Sequence, residues 1–274
     1  IPAPEKSLNN AIKALVLEAT QEDLTPTDLE TRFKELSSEH KIGVAPIRSQ
    51  FRAEMPQNGK DLQGESFEIP EVEPWHDPVG PEVLDELKAA LHHHLHLTVQ
   101  DAALAALWAT HTHCFTEFGF TPRLAISAPD KGCGKSVLLD VLGLVCNRDM
   151  PSVNMTPATM FRAIAKESPT LMIDEIDSWM DKDSEMTSIL NAGVNDRNPV
   201  PRLSGDDYEL RYFKTHAPVA MAGINIQKKL AEPTKDRSLW ISMERAMPSD
   251  IPEKFNRREH SDKFRVLGRK VARW

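Results

Sequence analysis

The chain has little of what marks secreted and membrane proteins. Its three cysteines, Cys114, Cys133 and Cys146, show neither paired spacing nor a CxxC motif, so we expect reduced thiols in a cytoplasmic protein. No apolar run approaches the roughly 18 residues that a membrane-spanning helix needs. The first residues lack the charged and then apolar pattern of a signal peptide. The sequence therefore predicts no membrane partner.

Positive charge is also scarce. The 274 residues include 33 lysines and arginines against 41 aspartates and glutamates, which gives a formal net charge of -8. This charge argues against a protein that coats nucleic acid over its whole surface, but it allows a local basic surface. The length allows one α/β domain with a sizeable core and a smaller appendage. The chain begins with Ile1 and not with methionine, and we expect it to be part of a longer polypeptide.

The apolar pattern divides the chain into three regions. Residues 1–55 are predicted to form a small helical module with a helix–turn–helix cadence. In this module Arg48 and Arg52 are candidates for reading DNA, and the alternative is a packed spacer domain. Residues 56–80 are rich in proline and glycine and are predicted to be a linker. Residues 81–274 form the predicted main domain.

Short apolar segments alternate with helical patterns in the main domain. Helices are predicted from Glu82 and from Thr98, where Asp101 stands at the capping-box position. Apolar strands are predicted before residue 129 and at Thr170–Ile173, Ala217–Ile224 and Leu239–Met243. Strands that alternate with helices indicate an α/β fold with a mainly parallel sheet covered on both faces.

The stretch from Ile126 to Ser136 is the most informative part of the sequence. It has the order strand, glycine-containing loop, Lys-Ser and helix that a phosphate-binding loop requires. Pro129 stands where the general pattern has glycine, whereas Gly132 and Gly134 fit the variant G-x-x-G-x-G-K-[ST] typical of AAA+ ATPases. An incidental strand-to-helix turn is the alternative. The residues predicted to contact the nucleotide are Pro129, Asp130, Lys131, Gly132, Cys133, Gly134, Lys135, Ser136 and Val137.

Two pairs of residues carry the predicted chemistry. Lys135 is a compact cation for the β- and γ-phosphates, and the hydroxyl of Ser136 can bind Mg²⁺. The apolar segment before Asp174 ends in two carboxylates. Asp174 is predicted to support Mg²⁺, and Glu175 to activate the attacking water. Their order and separation from Lys135 predict an ATPase that uses ATP and Mg²⁺.

Two later residues complete the predicted site. Asn225 ends an apolar strand, where its amide can hold the lytic water or contact the γ-phosphate, and a turn-capping asparagine is the alternative. Arg237 is predicted to be an arginine finger that reaches into the site of a neighbouring subunit. A structural ion pair is the alternative for Arg237, and Arg202 and Arg211 are rivals for the role of finger.

Five stretches of the main domain together resemble one family. This family, of uncharacterised function, consists of P-loop ATPases at the C-terminal side of phage, plasmid and integrated-element primase–helicase polypeptides. The resemblance covers roughly residues 75–274, and the N-terminal module is similar to the helical connector of such proteins. The stretches are Thr110–Phe115 (THTHCF), Arg123–Leu142 (RLAISAPDKGCGKSVLLDVL), Pro169–Asp177 (PTLMIDEID), Ile189–Gly193 (ILNAG) and Asp236–Ser238 (DRS).

The resemblance implies the P-loop NTPase fold and an AAA+-like motor related to superfamily 3 replicative helicases. It further implies a hexameric ring of identical subunits that acts on single-stranded or forked DNA, beside a primase domain or protein. A DNA-independent AAA+ switch or assembly ATPase is the alternative. Two features depart from the family pattern. The segment Asn225–Asp236 is longer and more basic, and the chain ends at Trp274, so we expect an incomplete helical lid without an assigned sensor-2 arginine.

Three further features have plainer interpretations. Consecutive histidines at positions 92, 93, 94 and 96 point to different faces of a helix. No acidic or cysteine ligand stands at an obvious spacing, so a solvated helix surface is predicted and not a metal site. The basic stretch from Lys254 to Arg273 is either a contact to nucleic acid or a neighbouring subunit, or a solvated helix face. The loop from Asp196 to Asp207 is a candidate DNA contact.

Overall fold

The chain forms two compact units, residues 1–66 and residues 67–274, in a computed structural model. The structure describes residues 4–21, 26–54, 69–152, 155–178, 184–204, 209–247, 249–251 and 253–274. The boundary precedes the end of the segment predicted to be a linker, and residues 69–80 belong to the second unit.

The first unit consists of three helices, α1 (Pro4–Gln21), α2 (Pro26–His40) and α3 (Val44–Glu54). Apolar side chains spaced three or four positions apart lie on one face of each helix and meet in a small core. The rings of Phe33 and Phe51 lie edge to face in this core, with centroids 5.2 Å apart. The buried members of the core are Leu8, Ile12, Leu15, Val16, Phe33, Ile47 and Phe51.

The two candidate DNA-reading arginines lie on α3. Arg48 forms an exposed ion pair with Glu30 of α2. The side chain of Arg52 lies outside the described residues. The Arg48 contact agrees with the packed-spacer alternative for this module.

The second unit alternates helices and strands. Single-turn 3₁₀ helices cover Phe115–Glu117 and Ile176–Ser178. Within the described residues, no helix is both long and apolar enough to cross a membrane. The elements are α4 (Glu82–His94), α5 (Val99–Cys114), β1 (Arg123–Ala128), α6 (Lys135–Gly143), β2 (Asp149–Ser152), α7 (Pro157–Glu167), β3 (Thr170–Ile173), α8 (Ser184–Ala192), β4 (Val200–Ser204), β5 (Glu209–Phe213), β6 (Val219–Ile224), α9 (Ile226–Lys229), α10 (Glu232–Asp236), β7 (Ser238–Ser242) and α11 (Arg257–Arg273).

Five parallel strands form the central sheet in the order β2-β3-β6-β1-β7. Successive side chains of a strand point to opposite faces, so the sheet separates two apolar cores. Leu124 and Ile126 face the core formed with α4, α5, α6 and α11. Ala125, Leu171 and Ile173 face the core formed with α7, α8 and α9. The predicted α/β architecture with helices on both faces of a parallel sheet is confirmed.

Two strand features of the fold were not predicted. Edge strand β2 has the sequence DMPS, which shows no apolar alternation, and Pro151 is tolerated there because an edge strand needs fewer ladder donors. Strands β4 and β5 form a separate antiparallel hairpin, although the residues of β4 lie in the segment from Asp196 to Asp207 that was predicted to be a loop. Both elements are short and are defined by pairing with another strand, not by a local pattern.

The end of the predicted linker packs on α11. The main-chain N–H of Trp75 donates to the carbonyl oxygen of Arg269 at 2.8 Å. The guanidinium of Arg269 lies 5.2 Å from the centre of the indole ring, and its Nε donates to the carbonyl oxygen of Glu73. Ile69 is buried. These contacts explain why residues 69–80 belong to the second unit despite their prolines.

Candidate functional site

Three neighbouring strands carry the predicted site residues at their carboxyl ends, which form one edge of the sheet. Strand β1 leads into residues 129–134, β6 ends before Asn225, and β3 ends before Asp174 and Glu175. The strands are parallel and β6 lies between β1 and β3, so their carboxyl ends lie side by side at steps of about 4.8 Å. The topology therefore brings together residues from three distant parts of the sequence.

The loop after β1 depends on two glycines with positive φ. Gly132 has a φ of 77° and Gly134 a φ of 87°, values that side chains with a Cβ rarely adopt. The side chain of Lys135 is buried and folds back over the loop, where its Nζ donates to the carbonyl oxygen of Asp130 at 2.9 Å. The ammonium group is therefore held directly above the loop backbone.

Helix α6 begins at the end of this loop without a side-chain cap. Its first helical hydrogen bond runs from the N–H of Leu138 to the carbonyl oxygen of Gly134. The N–H groups of the preceding turn therefore have no acceptor within the helix, as at any helix start, and an anion can use them. Of the nine residues predicted to contact a nucleotide, Cys133 and Lys135 are buried, Gly134 is half-buried, and Pro129, Asp130, Lys131, Gly132, Ser136 and Val137 are exposed.

Asn225 contacts the loop from the neighbouring strand. Its main-chain N–H donates to the carbonyl oxygen of Ala128 at 3.0 Å, and its Nδ2 donates to that of Pro129 at 3.2 Å. The side chain makes no capping hydrogen bond to α9, although Asn225 precedes that helix. Its amide therefore lies at the start of the same loop that Lys135 covers.

The two carboxylates after β3 differ in their surroundings. Oδ1 of Asp174 accepts the N–H of Glu175 at 2.8 Å, which leaves Oδ2 for another partner. Glu175 is exposed and has a φ of 53°. Asn225 also has a positive φ, of 51°. Non-glycine residues seldom adopt this region, and such conformations concentrate at functional sites.

Asp177 supports this edge of the sheet and was assigned no role from the sequence. Its Oδ1 accepts the N–H of Ile224 at 3.1 Å, and Nζ of Lys229 lies 3.7 Å from Oδ2. The pairing of β3 with β6 ends at Met221, so no residue of β3 pairs with Ile224. The carboxylate of Asp177 accepts the N–H of Ile224 instead. A Cβ at Gly223 would lie 2.4 Å from Oδ1 of Asp177. A glycine inside an apolar strand was the signal of this close approach.

Arg237 does not join these residues within its own chain. Its carbonyl oxygen accepts the N–H of Arg123, and it precedes β7 at the amino edge of the sheet. The six-residue strand β1 separates this edge from the loop by about 17 Å at a rise of 3.3 Å per residue. Its Nη1 donates to the carbonyl oxygen of Pro233 at 2.6 Å, and no carboxylate partner of Arg237 occurs in the described part of the chain.

The two rival arginines lie opposite each other on the β4–β5 hairpin. The guanidinium of Arg202 pairs with Glu185 of α8 and lies 5.3 Å from the ring centre of Phe161. Arg211 occupies the facing position on β5. The contacts of Arg202 are those of a residue that attaches the hairpin to the flanking helices.

Arg123 is buried, and its role was also not predicted from the sequence. Its Nε donates to the carbonyl oxygen of Leu190 at 3.1 Å, and its Nη1 donates to that of Ala217. Burial lowers the pKa of Arg123 to about 9, which leaves the group charged at neutral pH. A cation beside the last carbonyl groups of α8 satisfies acceptors that the helix leaves unpaired.

The basic stretch near the end of the chain forms α11 and the segment that leads into it. Several of its cations pair with acids of the same unit, which agrees more with a structural helix face than with a nucleic-acid surface. The pairs are Arg257 with Asp140, Arg265 with Asp262, Arg269 with Glu73 and Lys270 with Glu86.

No known protein family matches the chain, and no curated protein matches it. Function is therefore inferred from the geometry of the site.

The contact of Asp177 with β6 predicts a loss of stability on truncation. Asp177→Ala leaves the N–H of Ile224 without its acceptor, and we expect the free energy of unfolding to fall by about 1–3 kcal/mol. Urea unfolding measures this change. Asp262→Ala serves as the control, because Asp262 is exposed and its one ion pair in the described part of the chain is with Arg265, one helical turn away. Equal unfolding midpoints for the two variants would contradict the role of Asp177.

Proposed function

We propose that the chain is an ATP-hydrolysing motor with an AAA+-like P-loop fold, the helicase domain of a mobile-element DNA replication protein. One observation supports this function above the others. Three groups lie at the carboxyl ends of three adjacent parallel strands. They are a glycine-containing loop that is covered by a lysine, an asparagine that contacts this loop, and two neighbouring carboxylates. Ligands of open α/β sheets bind at this edge.

The loop residues suit a polyanion. The two glycines give the backbone its turn, the start of α6 provides N–H groups, and Lys135 provides a positive charge beside them. ATP with Mg²⁺, when bound, supplies a phosphoanhydride bond and a metal that neutralises charge on the β- and γ-oxygens. With a nucleotide bound, Nζ of Lys135 would donate to phosphate oxygens in place of the carbonyl oxygen of Asp130.

Two oxygen ligands fit Mg²⁺, which prefers hard oxygen donors. The hydroxyl of Ser136 is exposed in the first turn of α6. Oδ2 of Asp174 is the carboxylate oxygen that the N–H of Glu175 does not use. These residues would hold the ion beside the loop.

Glu175 and Asn225 have the chemistry to handle the attacking water. Glu175 presents an exposed carboxylate next to Asp174, and in the proposed mechanism this carboxylate takes a proton from the water. Asn225 follows β6, the strand between β1 and β3, and its amide contacts the loop at Pro129. In the proposed mechanism this amide orients the same water.

Arg237 supports a shared site between subunits. It lies about 17 Å from the loop of its own chain, at the opposite edge of the sheet. A guanidinium in this position acts only in the site of a neighbouring copy, where it stabilises charge on the transferred phosphoryl group. We propose a homo-oligomeric ring, a hexamer as the family resemblance implies.

The β4–β5 hairpin and the turn before it offer a local surface for single-stranded DNA. The side chain of Arg197 is 90% exposed, and the ring of Tyr212 on β5 is also exposed. An arginine can bind phosphate and an aromatic ring can stack on a base, which is the usual combination for unpaired strands. Asp206 and Asp207 of the candidate DNA loop lie outside the described residues.

Glu175→Gln tests the assignment of the general base. We expect ATP turnover to fall by about 10²–10⁴-fold with unchanged ATP affinity, because the amide cannot accept the proton of the water. A phosphate-release assay and an ATP-binding titration measure the two effects. Glu232→Gln, the same change at an exposed glutamate of α10, is expected to leave turnover unaltered. Undiminished turnover in Glu175→Gln would contradict the assignment of Glu175 as the general base.

A mixing experiment tests whether Arg237 acts between subunits. Lys135→Ala and Arg237→Ala are each expected to be inactive alone, since every site in such an oligomer lacks one essential group. An equal mixture restores up to about a quarter of the wild-type turnover, because one random subunit pair in about four combines an intact loop with an intact arginine. ATP hydrolysis by the pure and mixed samples is the measurement. A mixture as inactive as its components would contradict action between subunits.

The DNA surface separates the motor from the DNA-independent switch. We expect single-stranded DNA to stimulate turnover, and Tyr212→Ala to weaken DNA binding about fivefold or more, since stacking on one base contributes about 1–3 kcal/mol. Tyr212→Phe keeps the ring and is expected to bind normally. Fluorescence anisotropy with a labelled oligonucleotide measures the affinity. If DNA neither binds to the protein nor stimulates its ATP turnover, the result favours the DNA-independent switch ATPase.

A further inference from the structure

The histidines at the end of α4 meet a carboxylate from a distant part of the chain. Glu253 lies shortly before α11, 160 positions after His93, and its Oε2 is 3.2 Å from Nε2 of His93. His94 completes the group, in which one ligand atom from each residue lies within 4.8 Å of the others. Nδ1 of His94 donates to the main-chain carbonyl oxygen of Glu253 at 3.1 Å, which leaves Nε2 as the ring nitrogen with a free lone pair. The sequence showed no acidic ligand at a suitable spacing, and the tertiary fold supplies one.

His260 orients the carboxylate of Glu253. Its Nδ1 accepts the main-chain N–H of Asn256 at 2.9 Å, so in the neutral ring the proton is on Nε2. Nε2 then donates to Oε1 of Glu253 at 3.2 Å, which leaves Oε2 beside His93. The ring of His260 also lies against the buried ring of His94, with centroids 4.4 Å apart. Carboxylate ligands of metal ions are commonly held in place by a hydrogen bond from a neighbouring side chain, as Glu253 is by His260.

We propose that His93, His94 and Glu253 bind a divalent transition ion of the Zn²⁺ type. Two imidazoles and one carboxylate suit Zn²⁺, whereas Mg²⁺ prefers oxygen ligands alone. Ligands about 2.1 Å from a tetrahedral ion are about 3.4 Å apart, close to the 3.2 Å between His93 and Glu253. The side chains of His93 and Glu253 are 44% and 52% exposed, which leaves room for a water as the fourth ligand.

The position of the site predicts what the ion does. It joins the last turn of α4 to the segment that leads into α11. Leu95 directly follows His94, and its Cδ2 lies 3.9 Å from the position of a Cβ at Gly134. The ion therefore braces the helix end that packs behind the glycine-containing loop. This role is independent of the reaction proposed for the loop.

Metal titration tests the site on the whole chain after treatment with a chelator. We expect one equivalent of Zn²⁺ in isothermal titration calorimetry, and a tetrahedral Co²⁺ absorption spectrum without a thiolate charge-transfer band. His93→Asn and Glu253→Gln are each expected to weaken Zn²⁺ binding by at least about tenfold. His96→Asn removes an exposed histidine outside the cluster and is expected to bind as tightly as the unaltered chain.

Thermal unfolding followed by circular dichroism gives a second readout. Zn²⁺ is expected to raise the Tm of the unaltered chain and of His96→Asn, but not that of Glu253→Gln. Each variant also loses the contact between His93 and Glu253, so the Zn²⁺ effect is measured against the metal-free Tm of the same variant. Zn²⁺ affinity that is unchanged in both His93→Asn and Glu253→Gln would overturn the proposal, as would a Co²⁺ spectrum dominated by thiolate ligation.

Discussion

The parallel pairing of β6 with both β1 and β3 is the constraint on which the candidate site depends. Ala128 pairs with Ile224 on one side of β6, and Ile173 pairs with Met221 on the other. The loop before Lys135, Asn225 and the two carboxylates each follow the end of one of these strands. A slip of one residue in either register would turn the side chains of the strand to the opposite face. The two apolar cores on the faces of the sheet therefore also hold the loop, the amide and the carboxylates in their mutual positions.

Two charged side chains satisfy main-chain groups where the chain leaves the sheet. At the carboxyl edge, Asp177 accepts the N–H of Ile224 beyond the end of β3. At the amino edge, Arg123 donates to carbonyl oxygens at the end of α8 and before β6. Buried main-chain groups without partners are costly, so both side chains allow strands of unequal length to stand side by side. The site at one edge and Arg237 at the other are thus positioned by the same sheet.

Local patterns were sufficient to predict much of the fold. The strand Thr170–Ile173 was predicted with its observed bounds, because three apolar residues after Thr170 lead directly into two carboxylates. The capping box at Thr98 was likewise predicted, and Oγ1 of Thr98 accepts the N–H of Asp101 at 3.0 Å. Strand β2 was missed because its four residues carry no apolar alternation. The roles of Asp177 and Arg123 were missed because their partners are main-chain groups, which have no sequence signature.

The sequence by itself determined the local conformation of this protein. Apolar periodicity specifies most of its helices and the central strands of its sheet, and the glycines at positions 132 and 134 permit the loop that precedes α6. Only the tertiary structure decided which strand ends meet and which distant side chains become neighbours. It brought Glu253 to His93 and placed Arg237 at the edge opposite the loop of its own chain. The physical reason is that local patterns act over a few residues, whereas these contacts join positions that only the packing of the sheet and its helices brings together.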